Sequence, residues 1–417
     1  MKLRVPDYYS EFSCIADKCK DSCCIGWEID IDEDTHDYYR HIEGAFGEKL
    51  RKNMYITEDG DYSFRLKEHG RCPFLNSRNL CDICIELGEE ALSEVCTEYP
   101  RFAIEYEDVL QKCLSLSCEE VGRILFTREE PMKYVEMELS EEGYFCDTCE
   151  HEDNFGGNKI EFGEHNGKSC EAEVWTCEKE SYTGEGTYVE EKHKSDEDCD
   201  IDVYAVSPTF MEQVQETMFE ILEDRSKSIW DRMQDYLNFA QTVQEAINKR
   251  DEPGLIEDYK TQALNQNKEL SDYSSWNNFA GFSARFSIFE NMETLDAEWD
   301  NAKKEIRNTL TEDSYSEKLQ DFMKSKDMLE KDYEHLMTYF TFRYMLNSVY
   351  DSNIISYARL AVLFTLMIRD MDVVRYHLNG NHYTLSDRID VARIFSKEVE
   401  HSEDNVEYAR EEITFKP

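Results

Sequence analysis

Four cysteines crowd into eleven residues near the amino terminus, in Phe12-Ser-Cys14-Ile-Ala-Asp-Lys-Cys19-Lys-Asp-Ser-Cys23-Cys24-Ile-Gly26-Trp27. Cys72, Cys81, Cys96 and Cys118 follow, again in short polar segments rather than on apolar faces. A thiol that serves only as core packing stands among apolar neighbours, which these do not. Thiolates that bind zinc or the irons of a 4Fe-4S cluster are drawn from segments that folding brings together. Disulfides and buried free thiols are the alternatives. Disulfide scaffolds are short secreted chains with an apolar leader, whereas this chain has 417 residues and begins with the charged stretch MKLRVPDYYS. Metal ligation is therefore the expectation for the group.

Charge narrows the partners. The chain carries 91 acidic and 46 basic residues, a net charge of -45, which repels nucleic acid and anionic lipid and favours a basic partner or a lysine-bearing substrate. Plain solubility accounts for the same balance. The longest apolar stretch, Ile354 to Ile368, is broken by Arg359 and falls short of the 18 or so residues of a membrane span. A soluble chain with no membrane partner is expected.

Composition divides the sequence into 1–135, 136–208 and 209–417. The first region holds ten of the fifteen cysteines. Periodicity predicts helices over Asp34 to Arg51 with Thr35 as cap, over Leu87 to Cys96, and over Cys118 to Thr127 with Val121, Leu125 and Phe126 on one face. Tyr62 to Leu66 alternates like a strand. The second region is an acidic insertion, with 20 carboxylates against five lysines over 140–208. Glu173 to Thr176 and Thr187 to Val189 suggest a small sheet there, and Cys146, Cys149, Cys170 and Cys177 offer a second zinc site, with free loop thiols as the alternative. The third region predicts a helical domain: Thr209 to Lys249, Ser316 to Met328, Tyr333 to Tyr350, Ile354 to Asp370 and Leu385 to Glu400. The fold expected is thus mainly α, a cysteine-rich metal or iron–sulfur domain followed by a helical domain. No G-x-G-x-x-G stands between a strand and a helix, and Asn154-Phe-Gly156-Gly157 lies in the insertion, so a Rossmann fold is not expected.

Several motifs in fixed order carry a resemblance. Phe12-x-Cys14-x4-Cys19-x3-Cys23-Cys24-x-Gly26-Trp27 is similar to the opening signature of the flagellin lysine N-methylase family, itself related to the CxxCxxCC group of zinc- or iron-chelating domains. Arg71-Cys72-Pro73-Phe74-Leu75, Leu80-Cys81, Leu87-Gly88 to Leu92, Cys96-x-x-Tyr99-Pro100-Arg101 and Leu114-Ser-Leu116-Ser117-Cys118 resemble that family too. So does Phe395-Ser-Lys-Glu398-Val-Glu400-His401-Ser402-Glu403-Asp404-Asn405 near the far end. Glu119 stands where the family pattern leads one to expect proline, and Cys84 and Cys113 are additional to it.

The resemblance implies methyl transfer from S-adenosylmethionine to lysines of flagellin, in the cytoplasm before export, with a 4Fe-4S centre in the enzyme and zinc as the alternative. It implies eight metal ligands, Cys14, Cys19, Cys23, Cys24, Cys72, Cys81, Cys96 and Cys118, of which Cys19, Cys23, Cys96 and Cys118 are preferred for a single cluster. A radical enzyme of this cofactor would show C-x3-C-x2-C, but Cys19-x3-Cys23 leads to Gly26, so a structural cluster is expected, with redox sensing as the other use. Within the family-like motifs, Tyr99, Glu400, His401 and Asn405 are the catalytic candidates and Arg101 the candidate clamp for the donor carboxylate. The plainer account is that Tyr99-Pro-Arg101 shapes a turn and Glu400 to Asn405 closes a helix. A non-enzymatic metal sensor and an acidic chaperone for a lysine-rich client are the competing functions.

Overall fold

A computed structural model describes residues 1–57, 59–138, 207–249, 256–265 and 273–415. In chain order, β1 (Lys2–Pro6) and β2 (Asp30–Ile31) precede α1 (Glu33–His41) and α2 (Gly44–Asn53). β3 (Met54–Ile56), β4 (Tyr62–Phe64), α3 (Asp82–Leu87) and α4 (Glu94–Glu98) follow. The hairpin of β5 (Arg101–Tyr106) and β6 (Val109–Leu114), then α5 (Glu119–Thr127) and β7 (Tyr134–Glu138), complete the amino-terminal part. The remainder is helical: α6 (Pro208–Glu223), α7 (Ile229–Asn248), α8 (Ile256–Asn265), α9 (Phe279–Glu290), α10 (Ala297–Thr309) and α11 (Tyr315–Met323). It ends with α12 (Glu330–Tyr344), α13 (Ser348–Asp351), α14 (Ile354–Leu378), α15 (Leu385–Val399) and α16 (Glu403–Phe415). Residues 139–206 of the acidic insertion, which carry its proposed zinc cysteines and short strands, lie outside the described residues.

The described residues are mostly helical, with two small sheets, and no Rossmann arrangement of parallel strands occurs among them. One sheet has the order β5-β6-β1-β7, with β1 parallel to β6 (Leu3 opposite Leu110) and antiparallel to β7 (Val5 opposite Val135). The other has the order β2-β4-β3. Each serves a different core. Tyr106, Val109 and Leu114 from the first sheet, with Val121 and Leu125 of α5, join the core of the helical region. Ile29, Ile31, Tyr39, Leu50, Phe64 and Phe74 form a separate, smaller core that includes the buried Cys72. The described residues together make one compact unit. Its central member is α14, buried on nearly every side, which packs against α12, α7, α16 and α15.

Element boundaries depart from periodicity where a backbone group intervenes. Asp32, not Thr35, caps α1: its carboxylate accepts the Thr35 N–H at 2.8 Å. The helix predicted to continue to Arg51 divides because the Ile42 carbonyl folds onto Gly47, where a Cβ would collide with it. Gly88, at φ +97°, ends α3, so the run from Leu87 to Cys96 becomes a 3-10 turn and the short α4. Thr209 to Lys249 is likewise two helices, separated where Asp224 accepts the Ser226 N–H and Ser228 caps α7. Tyr333 to Tyr350 stops at Tyr344, whereas α14 runs past Asp370 to Leu378 because Met371, Val373 and Val374 remain buried. No described helix is long and apolar enough to cross a membrane.

Candidate functional site

The loop from Cys19 to Trp27 crosses from one core to the other and is fastened at several points. The Lys20 N–H donates to the Glu119 carboxylate at 2.7 Å, and the Lys20 ammonium reaches Ser386 at the start of α15. Asp21 takes both Arg393 (2.8 Å) and Lys397 (2.7 Å) from α15. Gly26, at φ +94°, then turns the chain while its N–H donates to the Gly70 carbonyl. A Cβ on Gly26 would press on Asp296 and Lys397, so only glycine lets the loop lie this close to the helical region. Glu119, the departure from the family pattern, is thus an anchor of the cysteine loop.

That turn aims Trp27 at two of the predicted residues. The Trp27 and Tyr99 rings stack at 6.2 Å between centroids, Trp27 and His401 lie 5.9 Å apart, and Tyr99 and His401 meet edge to face at 6.1 Å. Trp27 is held by its indole N–H on the Cys23 carbonyl at 2.6 Å. Tyr99 comes from the end of α4, immediately before the cis bond to Pro100, and His401 from the end of α15. Ser117, in the turn between β6 and α5, sits between them: its Oγ is 3.1 Å from the Tyr99 hydroxyl and 2.9 Å from His401 Nε2. Ser117 Oγ continues to Ser115 (2.8 Å), and Ser115 to Ser396 (3.3 Å). Burial, then the charges of Arg343 and Lys397, lower the His401 pKa to about 4, so its imidazole is neutral at neutral pH. Its Nδ1 is buried without a partner. Burial also drives the Tyr99 phenol well above its ordinary range.

The other candidates point elsewhere. Glu400 is buried and paired with Arg343 at 2.9 Å, and it accepts the Tyr339 hydroxyl at 2.7 Å. Burial pushes its carboxyl up, against the pull of Arg343. Asn405 clasps backbone, accepting the Glu293 N–H (3.0 Å) and donating to the carbonyls of Glu293 and Glu398. Arg101 lies over the rings of Tyr9 and Phe12 and donates weakly to the Thr97 carbonyl.

The cysteines form two neighbourhoods. Cys24, Cys81 and Cys96 pack with buried Cys72 in the smaller core. Burial pushes Cys72 and Cys96 up to about 12, with Cys24 and Cys81 adding to the rise in both. Cys81 is held near 6 by a hydrogen bond with the Cys84 thiol. Cys19 and Cys118 make the second group: burial pushes Cys19 up to about 12, with Cys118 and then Cys14 contributing, and Cys118 up to about 11, again with Cys14. Cys23 stands between the groups, its sulfur 4.0 Å from that of Cys24 and its titration raised by Cys24, Cys96 and Cys14. Among the described residues, no three His, Cys, Asp or Glu side chains lie close enough to hold one metal ion directly. A cleft of about 800 Å³ opens beside β2 and β4, lined by Asp30, Asp32, Glu33, Asp61, Glu94 and Glu98. It contains none of the residues selected from the sequence.

Residues 215–416 match the family of the FliB lysine N-methylase C-terminal domain. The chain is 32% identical over 126 residues to the flagellar biosynthetic protein FliU of Salmonella muenchen, a segment amounting to 29% of this chain and 75% of that protein. It is 31% identical over 126 residues to the lysine-N-methylases of Salmonella typhimurium and Salmonella choleraesuis, covering 29% of this chain and 31% of each of those. The matched segment therefore spans less than a third of the two methylases. No solved structure matches the chain.

Proposed function

The chain belongs to the flagellin lysine N-methylase family, and from that premise we propose that it transfers a methyl group from S-adenosylmethionine to lysine side chains of flagellin in the cytoplasm. The observation that carries this reading is the convergence of two family-motif residues, Tyr99 and His401, on one hydroxyl, Ser117, beside the cysteine loop. An acceptor lysine has a reference pKa of about 10.4 and must lose a proton before it attacks the methyl group. In this proposal His401 accepts that proton once substrate binding uncovers its Nδ1 and raises its pKa from about 4, and Tyr99 orients the amine. Glu400, fixed by Arg343, acts as a positioning residue that sets the end of α15 where His401 leaves it. Asn405 does the same from the far side by tying Glu293 to Glu398. Arg101 remains the proposed clamp for the donor carboxylate. The six carboxylates lining the cleft beside β2 and β4 favour the approach of a lysine-bearing segment.

An iron–sulfur centre is inferred from the chemistry of the donor set, soft thiols gathered in two groups and pushed up in pKa chiefly by burial, a cost that binding a cation as thiolates would relieve. Cys14, Cys19, Cys23 and Cys118 on one side, and Cys24, Cys72, Cys81 and Cys96 on the other, are the alternative four-thiol sets proposed to hold it, with zinc as the alternative metal; the set preferred from the sequence, Cys19, Cys23, Cys96 and Cys118, is divided between the two neighbourhoods. Such a centre would supply rigidity to loops that otherwise have little core. The reaction proposed, a polar displacement, depends chiefly on alignment of amine, methyl group and sulfonium.

The test is incubation of anaerobically purified protein with flagellin and S-adenosylmethionine, followed by intact mass measurement. Gains of about 14 Da per methyl on flagellin lysines are expected. An unchanged mass together with tight flagellin binding would replace the methylase by a chaperone.

A further inference from the structure

We propose that three buried serines, Ser117, Ser115 and Ser396, form a one-way hydrogen-bond chain that fixes the tautomer of His401, placing its proton on Nε2 and leaving Nδ1 as a bare acceptor. They are positioning residues. Their use in the reaction rests on the reading of His401 as the proton acceptor; the tautomer itself does not. The links run from His401 Nε2 to Ser117 Oγ at 2.9 Å, from Ser117 to Ser115 at 2.8 Å and from Ser115 to Ser396 at 3.3 Å. All three serines are buried, so each hydroxyl must find its donor and its acceptor among these neighbours.

The far end sets the direction. Glu400 Oε1 has no partner in close range, and the hydroxyls that act on this carboxyl besides that of Tyr339 are those of Ser396 and Tyr344. Paired with Arg343 at 2.9 Å, the carboxylate accepts hydrogen bonds and donates none. The Ser396 proton therefore points to Glu400, and the Ser396 oxygen accepts from Ser115. Ser115 has then spent its one proton, so it accepts from Ser117. Only the two lone pairs of Ser117 Oγ remain, one for the Tyr99 hydroxyl at 3.1 Å and one for His401 Nε2. Nε2 must consequently carry the hydrogen. The near end agrees, because Nδ1 is buried without a partner, and a stranded N–H there is worse tolerated than a stranded lone pair. The chain thus leaves the lone pair on the nitrogen to which the proposed transfer assigns the lysine proton.

The test is ¹⁵N NMR of the full chain labelled in its histidine rings, at neutral pH where the His401 imidazole is uncharged, with its signals assigned by their loss in His401→Gln. Nε2 is expected to resonate as a protonated nitrogen and Nδ1 as an unprotonated one, in a ratio of roughly tenfold or more over the other tautomer. Ser115→Ala touches neither ring nitrogen, yet it frees the Ser117 proton to turn toward Nε2 and should lower that ratio severalfold. Ser396→Ala breaks the chain one link further on and should act in the same direction. A side chain that served only as packing would leave the tautomer unchanged. A His401 proton found on Nδ1 in the unaltered chain, or a ratio that neither serine variant moves, would overturn the proposal. The unaltered chain decides the tautomer even if a variant fails to fold. No substrate is present, so the expected tautomer in a protein that leaves flagellin unmethylated removes only its use as a base, while methylation with the proton on Nδ1 overturns the chain and leaves the methylase.

Discussion

His335 and His401 are both held neutral by burial, each with a pKa lowered to about 4. His335 is fully buried on α12 with its Nε2 near the Arg128 carbonyl, while Glu334 favours its protonation and Lys331 and Arg225 oppose it. In the unfolded chain its pKa returns to about 6.5. Above that value neither state binds the proton and stability is complete; as pH falls toward 4 the unfolded state is protonated first, and stability is lost. Relative to His335→Gln, the wild type should lose up to roughly 3 kcal/mol between pH 7 and pH 4, measured by urea unfolding at each pH. A pH-independent difference between the two proteins would refute the assignment. His401 and Tyr99 were legible in the sequence because they occupy motif positions. Trp27 and Ser117 stand in the same motifs, but an indole and a hydroxyl imply no chemistry until something faces them.

At the scale of elements, caps and glycines decide what periodicity cannot. Asp32 accepts the Thr35 N–H at the start of α1 and, with its other oxygen, the Glu94 N–H at the start of α4. One side chain therefore closes two helix ends, and the second lies 62 residues away. Asp32→Ala should cost about 1 to 2 kcal/mol in chemical denaturation, the upper part of the range for a single cap. Asp32→Asn should recover only about half of it, because its single amide oxygen replaces one acceptor while its NH2 faces the other N–H donor. The long helices α14 and α15 were readable because apolar residues recur through them, and Thr384 supplies a capping box for α15 with Asp387. The polar helices were not: α10 buries little beyond Trp299, Lys303, Ile306 and Thr309, a stripe too thin to distinguish from solvent-facing sequence. The divisions at Gly47, Gly88 and Asp224 arise from backbone contacts that a pattern of side chains does not record.

Across the whole molecule, buried charge ties the helical region together. Arg388 of α15 meets Asp372 of α14 and Asp332 of α12, with Tyr333 and Tyr383 closing the group. Arg388→Met leaves Asp372 buried without its partner and should cost about 3 to 5 kcal/mol in unfolding free energy. A smaller effect would mean that Asp372 is satisfied by the tyrosines alone. The cysteine loop is joined to this framework through Asp21, so Asp21→Ala should speed limited tryptic cleavage after Lys18 and Lys20 severalfold while leaving the unfolding midpoint of the helical region nearly unchanged. The mainly helical character of the chain, the clustering of its thiols in polar segments and the lysine N-methylase order of its motifs are legible in the residues alone, because composition, periodicity and spacing are properties of neighbours along the chain. Folding alone brings the thiols into two neighbourhoods, makes Glu119 an anchor of their loop and packs Trp27, Tyr99 and His401 together. Those contacts join residues as far apart as 27 and 401, whose meeting depends on two cores being packed together rather than on any local pattern.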